Sequence, residues 1–350
     1  MDLRHNQLPW NDQIWAKINA DLAQALAQSR RVRAPFEVFH VPSSTQTVMA
    51  DRREVGPGAQ YLFTETETTP IIELAIPFEI AQSQVHNEGD NFYALDRIIA
   101  AAYELGYAED ELIMWGDAEK ARDITSATVT RTRKKSRGEG VTRIEKEVPW
   151  EGLRIIAGWD SDPTIEWPEN PNDLDIGRTG LELFNAVTAA RTLLRFDRRH
   201  EPYALILGEQ LESAISSTVY RSNSLNTPIE RLRPLVTAGI FSTPALQPRE
   251  AYVVSVARSW IDIAQALEPS IQFLSVGAGG EYKMRLVERF AFRLKDKAAR
   301  RRILMRNEVN NGAVALPLQV EVVTNPVNVN VVNDRAINDG PIPPDGTVPP

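Results

Sequence analysis

No cysteine occurs among the 350 residues, which excludes disulfides, thiol nucleophiles and thiolate metal sites. Histidine is scarce too: His5, His40, His86 and His200 are scattered without ligand-like spacing. No apolar run reaches the roughly 18 residues needed to span a bilayer. The first residues, Met1-Asp2-Leu3-Arg4-His5, lack the basic and apolar regions of a secretory signal, so a cytoplasmic location is expected. A net charge of −8 and a pI near 5.3 argue against nucleic acid as a bulk partner. There is no nucleophile elbow, phosphate loop or dinucleotide fingerprint. Gly277-Ala278-Gly279-Gly280 lacks the Lys-Ser/Thr ending of a phosphate cradle and is expected as a hairpin turn. Asp160, Asp162 and Glu166 lack the spacing of a calcium loop and read as a solvated acidic loop. These absences point away from an enzyme and from a resident metal.

What is present is a scaffold: 43% hydrophobic and 25% charged residues in a chain long enough for two or three compact units. The organising stretch is Asn91 to Gly116. Phe92, Leu95, Ile98, Ile99 and Ala102 recur at helical spacing. Asp90 or Asn91 is expected to cap it, Gly106 to kink or break it, and Glu109-Asp110-Glu111 to sit at the positive end of a second short helix. Before it runs the apolar strand Pro70 to Ile80.

Pro9 to Gln28 is a helix with Ile14, Ile18, Leu22 and Leu26 every fourth residue. Two readings stay open. The face packs on its own subunit, or part of it lies in a groove that receives a partner peptide. Arg30, Arg31 and Arg33 follow as cations near the helix's negative end. Val48–Val55 and Gln60–Thr66 flank Gly56-Pro57-Gly58 as a hairpin. Such a ribbon alone is marginal in water, so a neighbouring subunit is the natural support. Thr125 to Pro149 is rich in Arg and Lys, without the interleaved aromatics of a nucleic-acid patch, and reads as a solvated surface hairpin.

Beyond it, strands and helices alternate: helices at about 179–196, 209–217 and 228–238 (capped by Gly239), and strands at 203–207 and 252–256. The polar loop Ser217 to Leu225 joins two of the helices. From Tyr282 to Leu294 a period-2 pattern places Glu288 on the apolar phase. A carboxylate there needs a cation or a donor, which makes Glu288 a salt-bridge candidate across a subunit boundary. The valine-alternating run and proline-rich end beyond Ile303 are expected as an arm or tail.

Several of these segments resemble the encapsulin shell proteins. Pro70-Ile71-Ile72-Glu73-Leu74-Ala75-Ile76-Pro77-Phe78 is similar to the family's P-x-I-E-L-x-x-x-F strand. Glu109-Asp110-Glu111-Leu112-Ile113-Met114-Trp115-Gly116 is similar to its E-D-E-x-I-x-x-G. Pro202-Tyr203-Ala204-Leu205 resembles its P-Y-x-L. Phe241-Ser242-Thr243-Pro244-Ala245-Leu246 with Ala251-Tyr252-Val253-Val254-Ser255 resembles its I-x-x-T-P-x-x … A-x-V-V-S. Glu288-Arg289-Phe290-Ala291-Phe292 resembles its E-x-F-x-F. Their order spans about residues 9 to 303.

The resemblance implies an α+β phage major-capsid fold of the Hong Kong 97 type. It divides the chain into an N-terminal arm and helix (1–47), an E-loop hairpin (48–69), a peripheral domain (70–120 and 268–303), an axial domain (121–267, with the basic hairpin at about 125–149 as an insertion) and a C-terminal extension (304–350). It further implies self-assembly into an icosahedral shell, a cytoplasmic nanocompartment, around a ferritin-like or dye-decolourising peroxidase cargo. Ile14, Ile18, Leu22 and Leu26 would then dock the cargo's targeting peptide. Val219, Tyr220, Arg221, Ser222 and Asn223 would line the five-fold pore. Some relatives bind flavin through a tryptophan just after the strand. Ala81-Gln82-Ser83-Gln84 stands there instead, so no flavin is expected. A tailed-phage or prophage capsid protein enclosing DNA is the alternative with the same fold.

Overall fold

The computed structural model describes residues 7–55, 61–116, 128–133, 142–144, 150, 152–154, 165–169, 176–217 and 227–307. The chain divides into two compact units, Met1–Asn311 and Gly312–Pro350, and the second lies outside the described residues. The tail runs expected at 318–331 and beyond therefore lie outside them too, as do Asp160, Asp162 and the whole pore-loop set Val219 to Asn223.

Helix α1 (Asp12–Ser29) opens at Asn11, whose side chain accepts the amide of Ile14 at 2.9 Å. Strands β1 (Val38–His40), β2 (Thr47–Val55), β3 (Tyr61–Pro70) and β4 (Ile72–Ile80) follow. Two short helices, α2 (Gln82–His86) and α3 (Glu88–Asn91), lead into the long helix α4 (Tyr93–Trp115). Then come β5 (Thr128–Arg133), β6 (Thr142–Ile144), β7 (Ile165–Glu169), α5 (Ile176–Phe196), β8 (Tyr203–Leu207), α6 (Glu209–Ser217), α7 (Pro228–Leu232), β9 (Gly239–Ser242), β10 (Glu250–Ser255), β11 (Ile261–Val276), β12 (Tyr282–Leu294) and β13 (Arg300–Asn307).

Two sheets organise these strands. One runs β1-β11-β12-β4-β5-β6 and the other β7-β13-β10-β8-β9, while β2 and β3 pair only with each other. The five-stranded sheet is a middle layer. Tyr203, Leu205, Leu207, Ala251 and Val253 pack with α5, α6 and α7 on one face. Ala204, Ile206, Tyr252 and Val254 belong to the larger core built on α1, α4 and the six-stranded sheet. Burial on both faces explains why 203–207 is an uninterrupted apolar run while β12 alternates.

Several sequence expectations need correcting. Helix α4 does not break at Gly106; it runs unbroken for 23 residues. Gly106 is a point of close approach by α1: a Cβ there would lie 2.0 Å from Ser29 Oγ. The N-cap position of α4 is Phe92, in the left-handed conformation at φ 53°, and Glu88 closes the first turn, its two carboxylate oxygens accepting the amides of Ala94 (2.6 Å) and Leu95 (2.8 Å). Helix α7 ends at Leu232 rather than Ala238, and Gly239, at φ 119°, opens β9.

β5 pairs with β4 (Ile72↔Arg131 to Ala75↔Thr128), so it extends the six-stranded sheet that holds the peripheral strands. β13 joins the five-stranded sheet through β10. β11 is continuous across the 267/268 boundary. Glu166 lies in β7, paired opposite Leu304, rather than in an acidic loop. The hairpin at β2–β3 and the turn between β11 and β12 form as expected.

Candidate assembly surface and its buried anchor

Of the four α1 residues expected to dock a peptide, three are core. Ile18, Leu22 and Leu26 are 1%, 5% and 6% exposed and pack inside the protein's own large core; Ile14 is half-buried against it. The reason is the tight crossing of α1 over α4. Ser29 Oγ, itself bonded to the carbonyl of Ala25, rests on the glycine-sized gap at Gly106. A side chain already desolvated by its own chain has no surface left for a peptide. Ile18, Leu22 and Leu26 pack on their own subunit. The outward residues of α1 are small or polar: Ala16, Lys17, Asn19, Ala20, Ala23, Gln24, Ala27 and Gln28.

Beneath the end of α1 lies the most charged part of the interior. Glu109, Asp110 and Glu111 are 0%, 1% and 3% exposed. Three successive helical residues span about 200° of circumference, so α4 is enclosed there on most sides. Glu109 binds Arg30 Nε at 2.6 Å and also receives Arg33. Arg30 Nη2 reaches Glu288 at 2.5 Å, and Arg33 bonds Gln265. Asp110 accepts the amides of Arg31 (3.1 Å) and Val32 (3.0 Å) and the hydroxyl of Thr243 (3.2 Å).

Arg30 and Arg33 tie α1, α4, β11 and β12 into one node. Glu288, expected as a salt-bridge residue, has Arg30 and Arg33 beside it within its own chain. Part of the sequence signal was available: three acids beside Leu112-Ile113-Met114 on a core helix demand matching cations, without saying which.

Electrostatics follow from this packing. Burial pushes the Asp110 carboxyl well above its ordinary value, and Glu109 adds to the rise, against the two amides and the Thr243 hydroxyl. Burial raises Glu288 to about 7; Arg30 opposes this and Glu109 reinforces it. Glu288 Oε1 also accepts no hydrogen bond among the described residues. For Arg30, burial alone would lower the guanidinium, yet Glu109 and Glu288 carry it above its ordinary value.

A second buried node joins the two sheets' surroundings. Glu250, 0% exposed, is held by Arg154 (3.2 Å), Arg302 (2.7 Å) and the Tyr252 hydroxyl (2.9 Å). Arg154 stacks over Trp115 at 3.5 Å. The amides of Leu153 and Arg154 satisfy the carbonyls of Ile113 and Met114 at the end of α4. Among the described residues there is no cluster of His, Asp and Glu able to hold a metal, and no helix long and apolar enough to cross a membrane.

Beside the two larger sheets, β2 and β3 pair as a two-stranded ribbon of their own. A spine helix, two packed sheets and a two-stranded hairpin form an architecture found in solved shells. The crystal structure of a virus-like particle from Pyrococcus furiosus superposes with a TM-score of 0.57 at 14% identity, covering 83% of this chain and 98% of that one. The capsid of the Myoviridae phage XM1 follows at 0.50 and 12% identity, covering 78% and 90%.

The chain has the phage-capsid fold. Within that capsid fold it resembles the encapsulin shell proteins in sequence as well. A family model described as "Encapsulating protein for peroxidase" matches residues 168–291, from the strand region of β7 through most of β12. The type 1 encapsulin shell protein EncA of Myxococcus xanthus is 23% identical over 310 residues, covering 84% of this chain and 93% of that protein.

Proposed function

We propose that this chain is the repeating protomer of a closed proteinaceous shell that encloses a cargo enzyme carrying a short targeting peptide. The observation that carries the reading is the coincidence of two likenesses over one chain. The capsid fold covers nearly the full length of the Pyrococcus furiosus particle protein, and the encapsulating-protein model matches the segment that supplies β8, β9 and β10 of the middle sheet and most of the long β11–β12 hairpin. A ribbon such as β2–β3 is marginal alone, which favours a neighbouring copy beneath it. Closure multiplies modest contacts between identical subunits. Any redox or iron chemistry then belongs to the cargo, and the description of the family model favours a peroxidase. The peptide's docking site excludes Ile18, Leu22 and Leu26, which are core, and leaves Ile14 as the α1 candidate.

Electron microscopy of the recombinant protein should show hollow particles of uniform size. Particles isolated from the native host should contain a protein cargo by mass spectrometry; DNA inside them would instead favour a viral capsid. A monomer or dimer at high concentration in every buffer overturns the shell reading altogether.

A further inference from the structure

The ribbon β2–β3 is joined to the body by two strands. On the outgoing side β3 ends at Pro70 and β4 begins at Ile72, so the chain passes almost directly into the six-stranded sheet. On the incoming side a strap, residues 41–46, crosses from β1 and has no sheet of its own. Three backbone carbonyls along this side are occupied. Arg289 donates to the carbonyls of Ser43 and Thr45, the latter at 3.1 Å, and Arg293 donates to the carbonyl of Met49. The two arginines are four apart on β12 and so project from one side of that strand.

Arg293 is itself held. Asp262, fully buried on β11 and directly opposite in register, binds it through Nε at 2.7 Å and Nη2 at 2.6 Å. Lys295 adds a contact to Asp262 at 2.6 Å. The guanidinium of Arg293 lies 4.5 Å from the ring centre of Phe39 on β1. Finally, the amide of Ile71 donates to the carbonyl of Gln46 at 2.8 Å, closing the base of the ribbon. A planar fork braced by a carboxylate on one side and by an aromatic ring on another has few alternative positions.

We propose that Arg289, Arg293 and Asp262 form a clamp that sets the direction of the ribbon before it meets a neighbouring copy, and that this direction determines the regularity of the assembly. The inference rests on the shell reading for its second half only. Leverage makes the root decisive. Strands of this length reach about 30 Å, so a swing of about 10° at the base moves the tip by about 5 Å. That is the distance between adjacent strands, enough to miss or shift a contact. Guanidinium-to-carbonyl bonds suit the task because they grip the backbone regardless of the strap's side chains.

The test compares the full chain with Arg289→Ala/Arg293→Ala and with Arg289→Lys/Arg293→Lys. Lysine keeps the charge but loses the fork. Hydrogen exchange is followed at Thr45 and Ile71, whose amides close the strap turn and the ribbon base, with the buried strand β10 as an internal control of folding. The double alanine variant is expected to exchange about tenfold faster at the ribbon base while β10 stays protected. By electron microscopy its assemblies should be open or mixed in diameter, and the lysine pair should fall between it and the parent.

Unchanged exchange at Thr45 and Ile71 overturns the clamp. Faster exchange with particles as uniform as the parent's overturns its control of assembly. Should the parent itself form no particles, the shell reading fails while exchange still decides whether the clamp exists.

Discussion

Glu109 sits between two guanidiniums and beside a third buried carboxylate, so Glu109→Gln tests the anchor directly. The substitution keeps the volume and removes one negative charge. Arg30 and Arg33 would then face Glu288 as their remaining carboxylate on this side. Removing one partner of a buried pair typically costs about 3–5 kcal/mol. Part of this returns, because Glu109 is one of the groups holding Glu288 high. Without it Glu288 ionises more readily and partly replaces the lost charge. A net loss of about 3 kcal/mol is expected, or roughly 4 °C in melting temperature for a chain of 350 residues. Scanning fluorimetry at fixed protein concentration reads the melt, and hydrogen exchange at the Arg31 and Val32 amides reads whether the end of α1 has loosened from Asp110. A loss below about 1 kcal/mol with those amides still protected would falsify the view that charge pairing holds α1 to α4.

Glu288→Gln addresses the same node through pH. The folded carboxyl titrates near 7, above its ordinary 4.5, so the folded state binds the extra proton between those values. The stabilisation is therefore complete below about 4.5 and is lost as pH rises through 7, and Asp110, also raised, acts in the same direction. The parent should gain up to about 3 kcal/mol between pH 8 and pH 5 from this group, and the glutamine variant should show a clearly flatter melting-temperature profile; identical slopes refute the assignment.

Gly106→Ala places a Cβ 2.0 Å from Ser29 Oγ. Overpacking of about 1–3 kcal/mol should outweigh the gain in helix propensity of about 1 kcal/mol. Adding Ser29→Gly should recover most of the loss, whereas a single variant more stable than the parent rules out the close crossing. Ile18→Asp or Leu22→Asp buries an unpaired charge in the core and should cost about 4 kcal/mol or more. Poor folding is expected rather than intact particles that merely fail to load cargo, and well-formed empty shells would contradict it.

The pieces legible in the chain were those governed by short-range periodicity. The 3.6-residue repeats of α1, α4 and α5, the unbroken run of β8 and the alternation of β12 each follow from which faces must leave water, and this depends on the residues themselves. Glu288 as a carboxylate in need of a cation was legible for the same reason, because its phase placed it among Met284, Leu286 and Phe290. Its partner was not. Arg30 lies 258 residues away, and no local rule selects it over any other arginine.

Gly106 shows the same division. As a helix interior residue it weakens the helix, so the local expectation is a break. Only the arrival of Ser29 from α1 reveals that the missing side chain makes room for a crossing helix. The basic hairpin behaved likewise: its polar strands were readable, while its pairing to β4 depended on an open sheet edge. Thus the sequence by itself determined which segments coil, which extend and which faces are apolar, because those preferences arise within a few residues. Tertiary structure alone decided which buried charge meets which, which helix face remains free and where the ribbon is held, because those outcomes depend on contacts between distant segments that exist only after the core has closed.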